Sequence, residues 1–317
     1  MSAKIFIDGQ EGTTGLKILE RFEKRSDIEI IKISDDKRKD TEERKKLINS
    51  ADFVFLCLPD AAAKEAVSLV ENKNVRIIDA STAHRTNSEW VYGFPELSEE
   101  NRKKIASAKR VAVPGCYASG FISLVYPLVS SGTIQDDYPF ICHAVSGYSG
   151  AGKKAISQYE DCGRSFELES PRLYALGQEH KHLPEMQKMC SLKEKPMFNP
   201  MVCDYFSGMV VSIPILTRQL KQKKSVQEIL NVLKKHYDGS SFVHVREFMG
   251  EGTLYEGFLP ANTLSGKDYM ELFVFGNDEQ VLLSARLDNL GKGASGAAVQ
   301  CLNIMMGIDE NTGLVNE

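Results

Sequence analysis

The chain has 317 residues, 42% hydrophobic and 26% charged, and a formal net charge of −4. That balance excludes a dominant nucleic-acid or anionic-membrane surface. No apolar run approaches the ~18 residues needed to span a bilayer. The first residues enter a strand pattern without the layout of a signal peptide. Seven cysteines stand at 57, 116, 142, 162, 190, 203 and 301, with no C-x-x-C pair. An odd, scattered set predicts neither a disulfide framework nor a thiolate zinc site, and points to a reducing cytoplasm.

The first third alternates strand and helix patterns. Residues 4–8 form an apolar strand, followed by Gly9, Gly12 and Gly15 and then helical spacing over 16–22. Further strands are predicted at 28–33, 53–58 and 75–79, with helices through 45–48 and 61–70. This order predicts βαβ units and a parallel sheet with right-handed crossovers. A strand, three spaced glycines and a helix start form a site for a dinucleotide pyrophosphate, or simply a tight turn. Gly9, Gly12, Thr13, Thr14 and Gly15 are the candidates there.

After the second strand comes Ser34-Asp35-Asp36-Lys37-Arg38-Lys39. Acidic residues there suit a ribose 2′-hydroxyl, and cations suit a 2′-phosphate. Three consecutive cations tip the reading to NADP, with Ser34, Lys37 and Arg38 as the contacts; a solvated charged loop is the alternative.

The most informative stretch is Pro114-Gly115-Cys116-Tyr117. It joins an apolar strand end at 110–113 to a helical pattern from 118. A thiol at such a turn meets converging backbone N–H groups and a positive dipole end, which favours the thiolate. The competing reading is a small buried Cys. Downstream, a strand pattern at 139–145 leads into the small-residue loop 146–153. Strands near 209–213 and 270–275 and an amphipathic helix over 225–237 predict a separate α+β domain. Glu179, His180, His182 and Glu185 form a second cluster. Without H-E-x-x-H or a third spaced ligand, it suits proton transfer beside a thiol better than metal binding. The glycine-rich run 288–300 leads into a final helix predicted over 299–307.

Together these segments resemble a family. Gly9–Gly15, the run 79–85, Tyr92-Gly93-Phe94-Pro95-Glu96-Leu97, Val113–Tyr117, the run 146–152, His180–Glu185 and 288–300 match, in order, the shorter N-acetyl-gamma-glutamyl-phosphate reductases. The resemblance spans nearly the whole chain; the wider superfamily includes aspartate-semialdehyde dehydrogenases. It implies an α/β protein: a Rossmann-type domain of residues 1–114 plus 289–317, and an α+β catalytic and oligomerisation domain of 115–288. It implies NADPH-dependent reduction of an acyl phosphate in arginine biosynthesis, through a thioester on Cys116, in a cytoplasmic homo-oligomer (dimer or tetramer). His182 is the implied acid–base group, supported by His180 and Glu185. Arg85 is implied to meet a substrate carboxylate or phosphate, and Ser146, Gly147, Ser149 and Gly150 to line the substrate site. Ser81, Asn289, Gly291 and Lys292 are implied to lie at the cofactor. Gln10 and Glu11 depart from the family's usual opening, and Glu11 would repel a pyrophosphate unless turned away. Homologous aspartyl or aminoadipyl substrates, and a non-catalytic NADP-binding redox sensor, are the competing readings.

Overall fold

The computed structural model describes residues 2–316, which divide into two compact units. One takes the residues up to Gly115 together with Ala294–Leu314; the other takes Cys116–Gly293 with residues 315 and 316.

The first unit is built in chain order from β1 (Ala3–Asp8), α1 (Thr13–Phe22), β2 (Ile28–Ile31), α2 (Thr41–Ser50) and β3 (Phe53–Leu56). It continues with α3 (Asp60–Ser68), β4 (Arg76–Asp79), β5 (Val91–Tyr92), α4 (Glu99–Ser107) and β6 (Arg110–Ala112). The six strands lie in the order β2-β1-β3-β4-β6-β5, all parallel. Ile5–Asp8 and all of β3 are buried without alternation, as a parallel sheet covered on both faces requires. Local chemistry sets the helix starts. Asp40 accepts the Glu43 N–H at 2.9 Å to open α2, and Ser98 accepts that of Asn101 at 3.1 Å to open α4. The chain's last helix, Gly296–Met306, is buried over all but its final residue. It joins a core with Ile5, Ile18, Phe55 and Val111. It starts earlier than its apolar pattern predicts, because a π-helical turn over Gly291–Ser295 leads directly into it.

The second unit contains α5 (Cys116–Ser130), β7 (Ile141–Gly147), α6 (Lys153–Glu160), β8 (Arg172–Leu173), α7 (Leu183–Met189) and β9 (Met197–Cys203). Then come β10 (Met209–Leu216), α8 (Val226–His236), β11 (Val243–Val245), β12 (Met270–Gly276) and β13 (Gln280–Leu287). Its seven strands form one mixed sheet, β11-β12-β13-β10-β7-β9-β8, antiparallel except for β11·β12 and β7·β9. This is the predicted α+β arrangement. The segment after β7 is more ordered than a small-residue loop: a 3-10 turn at Tyr148–Ala151 precedes α6. Helix α5 lies close on the sheet, since a Cβ on Gly120 would stand 2.7 Å from Val211 Cγ2. Helix α8 opens with a capping box between Ser225 and Glu228.

Candidate active site

Cys116 is the first residue of α5 and is half-buried. A negative sulfur there faces the positive end of a 15-residue helix. The thiol is fixed from one side by Gly293: a Cβ on that glycine would sit 2.7 Å from Cys116 Cβ and 3.0 Å from Asp288 O. Only a residue without a side chain lets the two segments approach this closely.

Tyr117 follows the thiol and is 5% exposed. Its ring packs on His180 and His182, each with centroids 5.9 Å away, and on Phe198 at 5.2 Å. The Tyr174 hydroxyl donates to the Tyr117 hydroxyl at 2.9 Å. Burial, then the neighbouring Tyr174 and Cys116, push the Tyr117 phenol well above its usual range. The phenol therefore stays protonated, a neutral donor and acceptor beside the thiol.

The two histidines are distinguishable. The His182 backbone N–H donates to His180 Nδ1 at 3.1 Å, so His180 carries its proton on Nε2 when neutral. His182 is 5% exposed and its Nε2 stands 4.0 Å from Oε1 of Glu185, itself 1% exposed. Pro184, in the first turn of α7, adds no backbone donor there. The structure thus brings Cys116, Tyr117, His180, His182 and Glu185 into one neighbourhood of the second unit.

The predicted substrate loop is anchored by backbone. Gly147, Tyr148 and Ser149 donate to the carbonyls of Gly208, Tyr205 and Phe206 at 3.0, 2.9 and 3.0 Å. A Cβ on Gly147 would lie 2.6 Å from the Tyr205 and Phe206 oxygens. Ser146 is buried and donates to Gly147 O at 3.2 Å. Asn289 accepts from the Gly208 N–H at 2.8 Å and donates to Ser149 Oγ at 3.0 Å, with Gly150 packed beside its amide.

Three residues expected at the cofactor also make packing contacts within the second unit. Asn289 is a cross-link that shapes the 147–150 turn. Gly291 is a packing glycine, where a Cβ would be 2.0 Å from Lys267 O. Lys292 is 1% exposed, its ammonium 5.1 Å from the centroid of the Phe242 ring.

In the first unit the glycine turn fits a pyrophosphate. Gly9 has φ 87°, and a Cβ on Gly15 would fall 2.5 Å from Gly9 O. No side chain caps α1 at Gly12, and the buried Thr13 Oγ1 has no hydrogen-bond partner. Thr14 continues the same first turn of α1. After β2, Ser34, Lys37 and Arg38 lie in an exposed 3-10 turn. There Ser34 hydrogen-bonds Asp36 and holds its carboxyl below the usual range. Arg38 Nη1 lies 3.6 Å from Glu11 Oε1, so Glu11 turns toward a guanidinium.

Ser81 is also engaged within the first unit: its hydroxyl donates to Asp79 Oδ2 at 2.8 Å, and His84 Nδ1 lies 2.6 Å from the same oxygen. The His84 ring stacks on Trp90 at 4.1 Å. Arg85 is buried and donates to Val113 O at 2.8 Å and Ala80 O at 3.1 Å, a bracing role its charge alone did not suggest. Sequence reasoning missed Tyr174, Gln178, Phe198 and Gly293; a glycine two residues after Gly291 was the one visible signal among them. Among the described residues, no cluster of three His, Cys, Asp or Glu is placed to hold a metal, and no helix is long and apolar enough to cross a membrane.

A parallel-sheet unit with a glycine turn, joined in sequence to a mixed-sheet unit that opens on a thiol, defines a class of dehydrogenase. Residues 4–108 match the semialdehyde dehydrogenase NAD binding domain, and residues 116–289 match the semialdehyde dehydrogenase dimerisation domain. The chain belongs to the semialdehyde dehydrogenase family. It is 48% identical over 318 residues to N-acetyl-gamma-glutamyl-phosphate reductase 2 of Nostoc sp., covering 98% of this chain and 99% of that one. It is 47% identical over 311 residues to the N-acetyl-gamma-glutamyl-phosphate reductase of Brucella ovis, covering 97% and 100%. Among solved structures, aspartate semialdehyde dehydrogenase II from Vibrio cholerae, complexed with ASA, aligns with TM-score 0.70 at 15% identity over 97% of this chain and 99% of that one. The Francisella tularensis aspartate semialdehyde dehydrogenase aligns with TM-score 0.70 at 16% identity, covering 96% and 100%. At those identities the match shows the fold.

Proposed function

We propose that this chain reduces N-acetyl-L-glutamyl 5-phosphate to N-acetyl-L-glutamate 5-semialdehyde with NADPH, releasing phosphate, in arginine biosynthesis. The observation that carries the reading is a thiol at the start of α5, wedged by Gly293, next to a tyrosine that packs on both histidines. Relatives at 47–48% identity over nearly the full chain carry the name of that reaction.

The Cys116 sulfur attacks the acyl carbon as thiolate; the C–O bond to phosphate breaks and a thioester remains on the chain. NADPH, when bound, supplies the hydride that reduces the thioester carbon. The oxygen left on that carbon holds negative charge, which N–H groups at the start of α5 stabilise. His182, with Glu185 beside it, gives and takes the proton on this oxygen. Collapse re-forms the carbonyl, breaks the C–S bond and returns the thiolate. Gly9–Gly15 would hold the pyrophosphate, and Arg38 with Lys37 and Ser34 would hold the 2′-phosphate that distinguishes NADPH from NADH. The 146–150 segment of the second unit meets the substrate.

Two copies associate through the second unit, whose sheet exposes Leu173 (55%), Met197 (56%), Leu282 (39%) and Ile141 (37%) on one face. Sedimentation should give a dimer or tetramer rather than a monomer.

The deciding experiment is Cys116→Ser in the reverse reaction, with N-acetyl-glutamate semialdehyde, phosphate and each nicotinamide cofactor in turn. Phosphate-dependent NADP reduction should vanish while cofactor binding persists; near-normal turnover would end the reading. A preference for aspartate semialdehyde would reassign the substrate.

A further inference from the structure

The segment between β8 and α7 delivers both histidines, yet it has almost no regular structure of its own. It is held instead by two side-chain ties. The first is Gln178, whose Nε2 donates to Phe198 O at 2.8 Å while its Oε1 accepts from Phe198 N at 2.8 Å. Further up β9, β8 pairs antiparallel through Arg172↔Val202 and Leu173↔Met201, and the Tyr174 N–H donates to Pro200 O at 3.2 Å. The Gln178 amide thus takes the place of the next residue in that ladder and satisfies both backbone groups of Phe198. The second tie is the Tyr174 hydroxyl on the Tyr117 hydroxyl, at 2.9 Å.

Between the ties the backbone is strained. Ala175 has φ 52° and Gln178 has φ 57°, left-handed values that side-chain-bearing residues avoid. The turn closes with the Gln178 N–H donating to Ala175 O at 2.9 Å. Such conformations persist where surrounding contacts over-determine them, and they gather at functional sites. The same few residues link the ties to the histidines. The Phe198 ring packs on His180 at 5.0 Å and on Tyr117 at 5.2 Å, and the two imidazoles meet edge to face at 4.6 Å.

We propose that Gln178 is a positioning residue for the histidine pair: its side-chain amide, with the Tyr174 hydroxyl, clamps residues 174–182 so that His180 and His182 stay seated against Tyr117 beside the reactive thiol. The proposal rests on the reading of His182 as the proton-handling group. Gln178 touches neither thiol nor imidazole; it acts through the backbone it fixes.

The test uses Gln178→Gly and Tyr174→Phe in the full chain, assayed in the reverse reaction. Glycine accepts φ 57° without strain, so the first variant deletes the tie without endangering the turn. Each should lower kcat roughly five- to tenfold, the scale of the one hydrogen bond lost in Tyr174→Phe and no less for the two lost in Gln178→Gly. KM for the semialdehyde and for the nicotinamide cofactor should stay within about twofold; Gln178→Gly should also lower the thermal midpoint, because both backbone groups of Phe198 lose their partner, so kcat is read well below it. In a His182→Asn background, Gln178→Gly should lower kcat no further. A Gln178→Gly enzyme with unchanged kcat, or one whose loss persists in the His182→Asn background, overturns the positioning role alone. Undiminished kcat in His182→Asn itself would remove the histidine reading and the proposal with it.

Discussion

Replacing Gly293 with alanine adds one methyl group at the point where two segments of the second unit touch. Built on the observed backbone, that carbon would lie 2.7 Å from Cys116 Cβ, 3.3 Å from Cys116 Cα and 3.0 Å from Asp288 O. Carbon atoms settle at about 3.5–4.0 Å, so the thiol-bearing turn or the 288–293 strap must yield by the order of 1 Å. The strap resists: the Gly293 N–H donates to Asp288 O at 2.9 Å, and Gly291 is already packed against Lys267 O. The start of α5 is therefore the part expected to move.

A displacement of about 1 Å at a reacting atom costs roughly 10²-fold in rate, or about 2.7 kcal/mol of barrier. Overpacking of this kind destabilises the fold by a comparable ~1–3 kcal/mol. Two measurements separate these effects. Steady-state kinetics in the reverse direction should show kcat/KM down about a hundredfold, and urea unfolding should show a folded protein at assay temperature. The alkylation rate of Cys116 by iodoacetamide should change in the same preparation. A Gly293→Ala enzyme within about threefold of the parent, with an unaltered alkylation rate, would refute the claim that this glycine seats the nucleophile.

Other perturbations follow from the same geometry. Gly15→Ala places a Cβ 2.5 Å from Gly9 O and should weaken nicotinamide cofactor binding at least tenfold by fluorescence titration, with turnover recovering at high cofactor. Asn289→Ala leaves the Gly208 N–H without its acceptor; about 1–3 kcal/mol of stability should be lost, and KM for the semialdehyde should rise as the 147–150 turn loosens. Asp8 is buried against Arg44 at 2.9 Å, and burial raises its carboxyl above 3.8 despite the guanidinium. A raised folded value means a contribution to stability that is full below the unfolded pKa and lost as pH rises through the folded one. Urea titrations from about pH 4, the unfolded carboxylate value, upward should show the parent losing ground to Asp8→Asn with rising pH, by at most about 1.4 kcal/mol per unit; a flat difference across that rise would refute it.

What the sequence disclosed depended on periodicity and on spacing. The first unit was legible because its strands are buried on both faces and read as unbroken apolar runs, such as Phe53–Leu56. The helix read through 45–48 runs back to Thr41, where Asp40 caps it, whereas α4, capped by Ser98, had no counterpart in the sequence pattern. The second unit was legible only in class: its strand order pairs β10 with β7 and β13, segments far apart in the chain, and no local pattern encodes such partners. Tyr174, Gln178 and Phe198 were invisible for the same reason. Their significance lies in a side-chain amide completing a ladder across a turn, and a lone glutamine in a polar stretch carries no trace of that.

The run 288–293 shows how much packing a glycine-rich segment carries. Glycine is used both where a ligand must approach the backbone and where one backbone must approach another. At Gly9 and Gly15 both uses coincide: the close contact of Gly15 with Gly9 O also shapes a turn whose α1 end is uncapped and whose Thr13 hydroxyl lacks a partner. At Gly291 and Gly293 the close approach is to Lys267 and Cys116, while Asn289 and Lys292 are directed into the packing of their own unit. These contacts tie the Cys116 turn and the 147–150 turn to one segment. Substitutions along it should lower kcat and stability, and cofactor titration of the same variants tests whether the run also lies at the nicotinamide.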